Sequence, residues 1–177
     1  MIYGERIRLR APEREDLPKF VDWLNDPEVR EGISIVLPFS QAEEEIWFDE
    51  MIKRPAPEHP MAIEIREADG WTMVGTCGFH EIYWRNRSAE VGILIGDKTR
   101  WNLGYGTEVM RLLLNHGFQT LNLNRISLQV FENNPRAIRT YKKVGFRREG
   151  VKRQAMYLSG QYHDIILMSV LRSEWKE

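Results

Sequence analysis

Between Met61 and Gly96 three apolar segments follow one another almost without interruption. They read MAIEIRE, WTMVGTCGFHEIYW and SAEVGILIG, separated by EADG and RNRS. Apolar residues that alternate or run continuously, bounded by turn formers, read as strands. Turns this short fold the chain back on itself, so the segments predict an antiparallel meander. WNLGYGTEVM (Trp101 to Met110) follows, with two glycines around one tyrosine at the head of a helical pattern that runs to about Thr120. A strand delivered through a glycine loop into a helix start constrains both the topology and the chemistry around it.

The first amides of a helix have no internal partners and sit at the positive end of the helix dipole. Glycines let such amides approach anionic oxygens with no Cβ between. Gly104 and Gly106 fit that arrangement, with the amides of Leu103, Gly104, Tyr105, Gly106 and Thr107 as donors. The G-x-G-x-x-G dinucleotide fingerprint needs a glycine where Val109 stands, and the Gly-Lys-Ser/Thr of a Walker loop is missing here. On this stretch alone, a purely structural turn explains the glycines as well as phosphate binding does.

The rest of the chain predicts one α+β domain over residues 1–177. ERIRLRAP alternates Ile7 and Leu9 with arginines, as in an edge or half-buried strand. Leu17, Phe20, Val21 and Leu24 stand at helical spacing, and Asp26 with Pro27 caps and restarts a helix. Ser40 and Glu43 form a capping-box pattern for a further helix. Its Glu43, Glu44, Glu45, Asp49 and Glu50 read as a solvated acidic face, the sharper alternative being a lure for cationic substrates. RISLQVF is a strand. NNPRAIRTYKKVGF is a helix with Asn134 as cap, Pro135 in its first position and Gly145 as its stop. QAMYLSGQYHDIILMSVL supplies two closing strands around Ser159 and Gly160.

Composition narrows the function class. Apolar residues make up 42% and charged residues 29%, as in soluble globular proteins. A net charge of −1 argues against a dedicated nucleic-acid binder. The one cysteine, Cys77, cannot form an intrachain disulfide, and no Cys/His spacing suggests a metal site. No apolar run reaches membrane-spanning length, and the charged N-terminus has no signal-peptide core. A cytoplasmic enzyme or binding domain is expected.

Two side chains near the glycine loop invite a chemical reading. Glu90 shares one face of its strand with Gly92 and Leu94, against Ala89, Val91, Ile93 and Ile95 on the other. It is either near an exposed end or held for chemistry. Tyr141 lies on the apolar face of its helix with Ala137, Ile138 and Val144, and read alone is a core tyrosine.

Together these pieces resemble the GNAT acetyltransferase superfamily over nearly the whole chain. IRLRAPEREDLPKFVDWLNDPEV is similar to the opening of its RimJ/RimL-like branch, and AEVGILIGDKTRWNLGYGTEVM to its splayed strand and acetyl-CoA pyrophosphate loop. NNPRAIRTYKKVGF resembles its Asn-to-Tyr helix, and GQYHDIILMSVL the branch's closing strand. The C-terminal half is also similar to spermidine N-acetyltransferases. The resemblance implies a mixed, mostly antiparallel twisted sheet with helices on both faces and a splayed central strand pair.

It also implies residue roles. The backbone of Ile93, Leu94 and Ile95 would pair with the pantetheine arm of acetyl-CoA as an added strand. Leu103 to Thr107 would hold the pyrophosphate, Asn134 would contact the pantetheine or acetyl region, and Tyr141 would sit near the thioester sulfur. Lys98, Arg100, Arg136 and Arg139 read as outer-phosphate contacts or as solvated surface. One position departs from the pattern: the family's Gln/Arg slot, three residues before Gly104, holds Trp101. Indole offers one N–H and no guanidinium fork.

The implied reaction is direct acetyl transfer to a primary amine. Such amines have pKa values near ~10.4 and must lose a proton, while the leaving thiolate must gain one. Glu90 is the candidate base, directly or through water, with His80 and then Glu81 behind it, and Tyr141 is the candidate acid. A backbone N–H on the splayed strand would stabilise the oxyanion. Cys77 is expected to pack and not to react. The acceptor is a protein N-terminus or a small amine or polyamine, and a homodimer or larger homo-oligomer is open. An acetyl-CoA-binding module without transferase activity is the alternative. A partner-binding domain using Trp84 and Trp101 is a third reading.

Overall fold

The structure is a computed structural model and describes residues 1–33 and 38–176. Its frame is an eight-stranded sheet in the order β1-β2-β3-β4-β5-β6-β8-β7. The strands are β1 (Ile2–Tyr3), β2 (Ile7–Arg10), β3 (Met61–Glu67), β4 (Gly70–Tyr83), β5 (Ser88–Ile95), β6 (Arg125–Phe131), β7 (Arg147–Leu158) and β8 (Gln161–Leu171). The meander β3-β4-β5 forms as predicted, with antiparallel pairing at each step. The last hairpin is longer than the sequence pattern suggests. β7 starts at Arg147, straight after the helix stop at Gly145, because its first residues pair with Ser169 and Met168 of β8.

Among the described residues, five α-helices accompany the sheet: α1 (Leu17–Asn25), α2 (Pro27–Arg30), α3 (Gln41–Met51), α4 (Tyr105–Asn115) and α5 (Pro135–Lys143). Their starts follow the capping rules. The Asp26 side chain accepts from the Glu28 and Val29 amides, and Ser40 and Glu43 make the full capping box. α4 runs into a π-helical turn, His116–Thr120.

Alternation along the strands divides the core into two layers. On one face, Ile7, Leu9, Ile63, Val74, Phe79 and Val91 join Val109, Met110 and Leu113 of α4 and Tyr141 of α5. On the other, Ala62 and Met73 pack with Leu17 and Phe20 of α1 and Phe48 and Met51 of α3. The arginines of β2 turn to this second face. There Glu64 lies buried between Arg8 and Arg10, and Arg10 also grips Asp16 with two bonds of 2.6 and 2.8 Å.

The acidic helix needs a correction. Glu44 is 4% exposed and belongs to the inward stripe Glu44, Phe48, Met51 of α3, one and two turns apart. Burial pushes its carboxyl pKa up to about 7. The acids on the outer side are engaged locally: Glu43 with Ser40, Asp49 with Arg14, Glu50 with Lys53.

Candidate active site

β5 and β6 pair in parallel only at Ser88–Arg125, Ala89–Ile126 and Glu90–Ser127. Past Glu90, β5 stays with β4 as far as Ile95, and β6 stays with β8 as far as Phe131. The two strands therefore part, and a cleft of about 1050 Å³ opens along the gap. The Ala89 carbonyl accepts from Ser127 Oγ at 3.3 Å, and the Ile95 carbonyl accepts from Trp101 Nε1 at 2.7 Å. Both main-chain groups thus face away from β4, and alternation turns Val91 and Ile93 the same way. The Leu94 carbonyl turns toward β4, only 2.0 Å from where a Cβ on Gly75 would stand. Of the predicted strand contacts, Ile93 keeps both main-chain groups toward the gap, and Ile95 keeps its N–H.

The glycine loop ends at Gly104, the N-cap of α4, with φ +87°. That left-handed conformation is the reason for glycine there. Gly106 differs: a Cβ would meet nothing closer than Ile93 Cδ1 and Thr140 Cγ2, both at 3.9 Å. No packing among the described residues demands a glycine at this position, which borders the cleft. The Thr107 amide donates to the Gly104 carbonyl at 3.1 Å, so that predicted donor is already used. Among the described residues, the amides of Leu103, Gly104, Tyr105 and Gly106 have no such partner. The loop is braced by a residue that the sequence reading missed. Arg6 bonds Glu108 through its main chain at 2.8 Å and its Nε at 3.0 Å, donates to the Leu103 carbonyl at 3.2 Å, and lies over the Tyr105 ring.

Asn134 does two jobs at the head of α5. Its Oδ1 accepts from the Ala137 amide at 3.1 Å, while its Nδ2 lies beside Gly32, 3.3 Å from where a Cβ there would stand. The four cations considered for the outer phosphates divide in two. Lys98 is held by Asp26 at 2.7 Å and Glu28 at 3.6 Å, and Arg100 by Glu67 and Asp97. Arg136 and Arg139 have no acidic partner among the described residues, and with Lys143 they line the cleft from α5. Arg136 is half-buried, which lowers its pKa.

Tyr141 lines the cleft with its ring packed near Phe146. It is 8% exposed, and burial pushes its pKa up to about 12. Its hydroxyl has no hydrogen-bond partner among the described residues. Glu90 is also brought into the cleft, where Gln129 Nε2 donates to both carboxylate oxygens at 3.2 Å. Lys152 fixes the amide by donating to Gln129 Oε1 at 2.9 Å. His80 stands opposite Glu90 in register, over Gly92, where a Cβ would fall 2.5 Å from its Nε2. Its ring is open to the cleft but recessed, and desolvation lowers its pKa against the raising influence of Glu90 and Glu81. Glu81 is not part of the cleft lining. Cys77 is 3% exposed, and burial pushes its thiol pKa up, away from reactive thiolate.

The lining carries both charges: Glu28 of α2, Glu31 just after it and Glu90 of β5 are acidic, and Arg100 with Arg136, Arg139 and Lys143 of α5 are basic. Gln129, Glu28, Glu31 and Arg6 escaped the sequence reading. Only Gln129 carried a local signal: Ser127 and Gln129 are the polar alternates of RISLQVF.

An eight-stranded mixed sheet with one splayed parallel pair, and a helix start opening beside the gap, define a class of fold that takes CoA thioesters. The acetyltransferase (GNAT) domain family matches residues 6–147, and the chain belongs to that family. The chain is 32% identical over 177 residues to the uncharacterized N-acetyltransferase p20 of Bacillus licheniformis, covering 98% of this chain and 97% of that one. It is 27% identical over 172 residues to the spermidine N(1)-acetyltransferase of Vibrio cholerae, covering 97% and 96%. The crystal structure of spermidine N-acetyltransferase from Vibrio cholerae in complex with CoA and spermine superposes with a TM-score of 0.86 at 28% identity, covering 97% and 98%. The protein is an acetyl-CoA-dependent N-acetyltransferase. The residues present fit that co-substrate: an unfilled space at Gly106, unpartnered amides at a helix start, and a free strand edge. No helix among the described residues is long and apolar enough to cross a membrane.

Proposed function

We propose that the acceptor is a small cationic primary amine of the polyamine type. The observation that carries this reading is that three carboxylates, Glu28, Glu31 and Glu90, are among the residues lining the cleft. A multiply charged amine gains from several carboxylates at once, whereas a peptide N-terminus brings a single cation and a chain to accommodate. The named activity of the Vibrio cholerae relative agrees with it.

The geometry supports the following assignment of roles. Tyr105, Gly106 and their neighbours hold the diphosphate of acetyl-CoA, Ile93 and Ile95 pair with its arm, and Asn134 Nδ2 donates to it. Bound there, acetyl-CoA supplies an activated acetyl group. Glu90, oriented by Gln129, accepts the ammonium proton directly or through water. His80, largely neutral at pH 7, adds a second acceptor beside it. The free N–H group of Ile93, the first past the paired part of β5, faces the place where negative charge develops on the acetyl oxygen. Tyr141, protonated throughout the physiological range, donates at the departing sulfur.

Thiol release from acetyl-CoA, measured with spermidine, spermine and a set of free-N-terminal peptides, tests the proposal. The polyamines should give the higher kcat/KM, and Glu31→Gln should raise their KM. A preference for peptides would refute it.

A further inference from the structure

Trp101 occupies the position where the family pattern places Gln or Arg, and its single N–H is spent on the Ile95 carbonyl at 2.7 Å. The indole therefore has no donor left for phosphate. Its ring face is occupied as well: the Arg136 guanidinium carbon lies 3.6 Å from the ring centroid. Stacking of this kind orients a guanidinium while leaving its edge N–H groups free.

Arg136 is also electrostatically misplaced for an unliganded protein. It sits in the first turn of α5, two residues after the cap Asn134, where the helix dipole disfavours a cation. The free amides at the start of α4 border the same cleft and add to the positive field. No carboxylate among the described residues pairs with Arg136, although nearby Lys98 and Arg100 are both neutralised by acids. A half-buried, oriented, unpaired cation between two positive helix ends needs an anion.

We propose that Trp101 and Arg136 form one anion-binding unit, an indole platform that holds the guanidinium on the pyrophosphate of CoA. The unit replaces the polar side chain missing from position 101 with a cation brought from α5. The pyrophosphate is favoured over the outer phosphate because the indole is anchored at the end of β5, where the arm passes to the loop.

Isothermal titration of the unacetylated carriers tests this without turnover. Arg136→Ala should weaken CoA and 3′-dephospho-CoA alike, by about 10- to 100-fold, the range of a lost charge-assisted contact. Pantetheine, which lacks the phosphates, should lose less than about twofold. Trp101→Leu should reproduce most of the loss, and the double variant should be little worse than Arg136→Ala. Arg136→Lys should recover part of the affinity. Thermal unfolding of each unliganded variant separates these effects from misfolding. An equal loss for pantetheine, a loss confined to CoA with its 3′-phosphate, or additive effects of the two substitutions would each overturn the proposal.

Discussion

Gly106→Ala separates a glycine kept for a ligand from one kept for the fold. Gly106 lies in the first turn of α4 and is not among the residues of positive φ. An added Cβ would have its nearest neighbours at 3.9 Å, ordinary van der Waals contact. Alanine is favoured over glycine in a helix interior by up to about 1 kcal/mol, and by less near the end. The unliganded variant should therefore melt at the same temperature or up to ~3 °C higher, the scale for a chain of this size. Binding should move the opposite way. The methyl group would hold phosphate oxygens off the Tyr105 and Gly106 amides, and losing one hydrogen bond to a charged group costs about 1.5–3 kcal/mol. The Kd for CoA should rise by about 10- to 100-fold. Titration calorimetry and thermal unfolding on the same preparations read both quantities. Gly104→Ala serves as contrast: at φ +87° it strains the backbone by roughly 1–2 kcal/mol and should lower both stability and affinity. If Gly106→Ala binds CoA within about twofold of the parent, no phosphate approaches that amide and the loop's assignment fails.

Three further substitutions probe the remaining chemistry and the buried acid. Tyr141→Phe should lower kcat about 100-fold with unchanged CoA affinity, and should leave the melting temperature unchanged because the hydroxyl has no partner to lose among the described residues; unaltered kcat in steady-state assays would remove the tyrosine from the acid role. Glu90→Gln should slow the reaction near neutral pH and recover as the amine deprotonates at higher pH, and a parallel pH-rate profile would count against it as base. Glu44 has its pKa raised from 4.5 to about 7, so the folded state binds more protons in that window and stability falls as pH rises through it, by about 3 kcal/mol. Glu44→Gln should flatten that slope in urea unfolding at pH 5 and pH 8, whereas an unchanged slope would mean that another group titrates.

What could be read from the sequence was what depends on near neighbours. The meander, the caps at Asp26, Ser40 and Asn134, and the loop at Gly104 are written in patterns a few residues long. Glu90 and Tyr141 came from the same alternation and helical spacing, joined by the family resemblance. Glu44 was misread because five acids in one helix look like a solvated face. Its true side is set by Phe48 and Met51, which carry the inward stripe past it. Arg6 had no local signal at all, since its partner Glu108 lies 102 residues away. Trp101 was noticed as a departure, but its use depends on Ile95 and Arg136, which only the fold brings to it.

The splay itself follows from competing commitments. β5 is bound to β4 from Glu90 through Ile95, and β6 to β8 through Phe131, so each strand follows a different neighbour. Sheet twist rotates adjacent strands, and a pair tied only at its first three positions has nothing to resist divergence. A strand edge left open at a sheet's boundary invites a second chain. Here the edge past the Glu90–Ser127 pair, carried by Ile93 and the Ile95 N–H, opens inside the sheet, with α4 and α5 beside it and Trp101 closing its far end at the Ile95 carbonyl. What remains accessible is a narrow, oriented row of main-chain groups that ends at a helix start and an oriented arginine. A ligand that fits this row needs an extended polar arm with an anionic group at one end, and the acetyl-CoA thioester has that shape. The same divergence leaves Glu90 at the vertex as the last paired residue of β5, so the proposed proton acceptor is anchored by the rigid part of the sheet, beside the open part proposed for the arm.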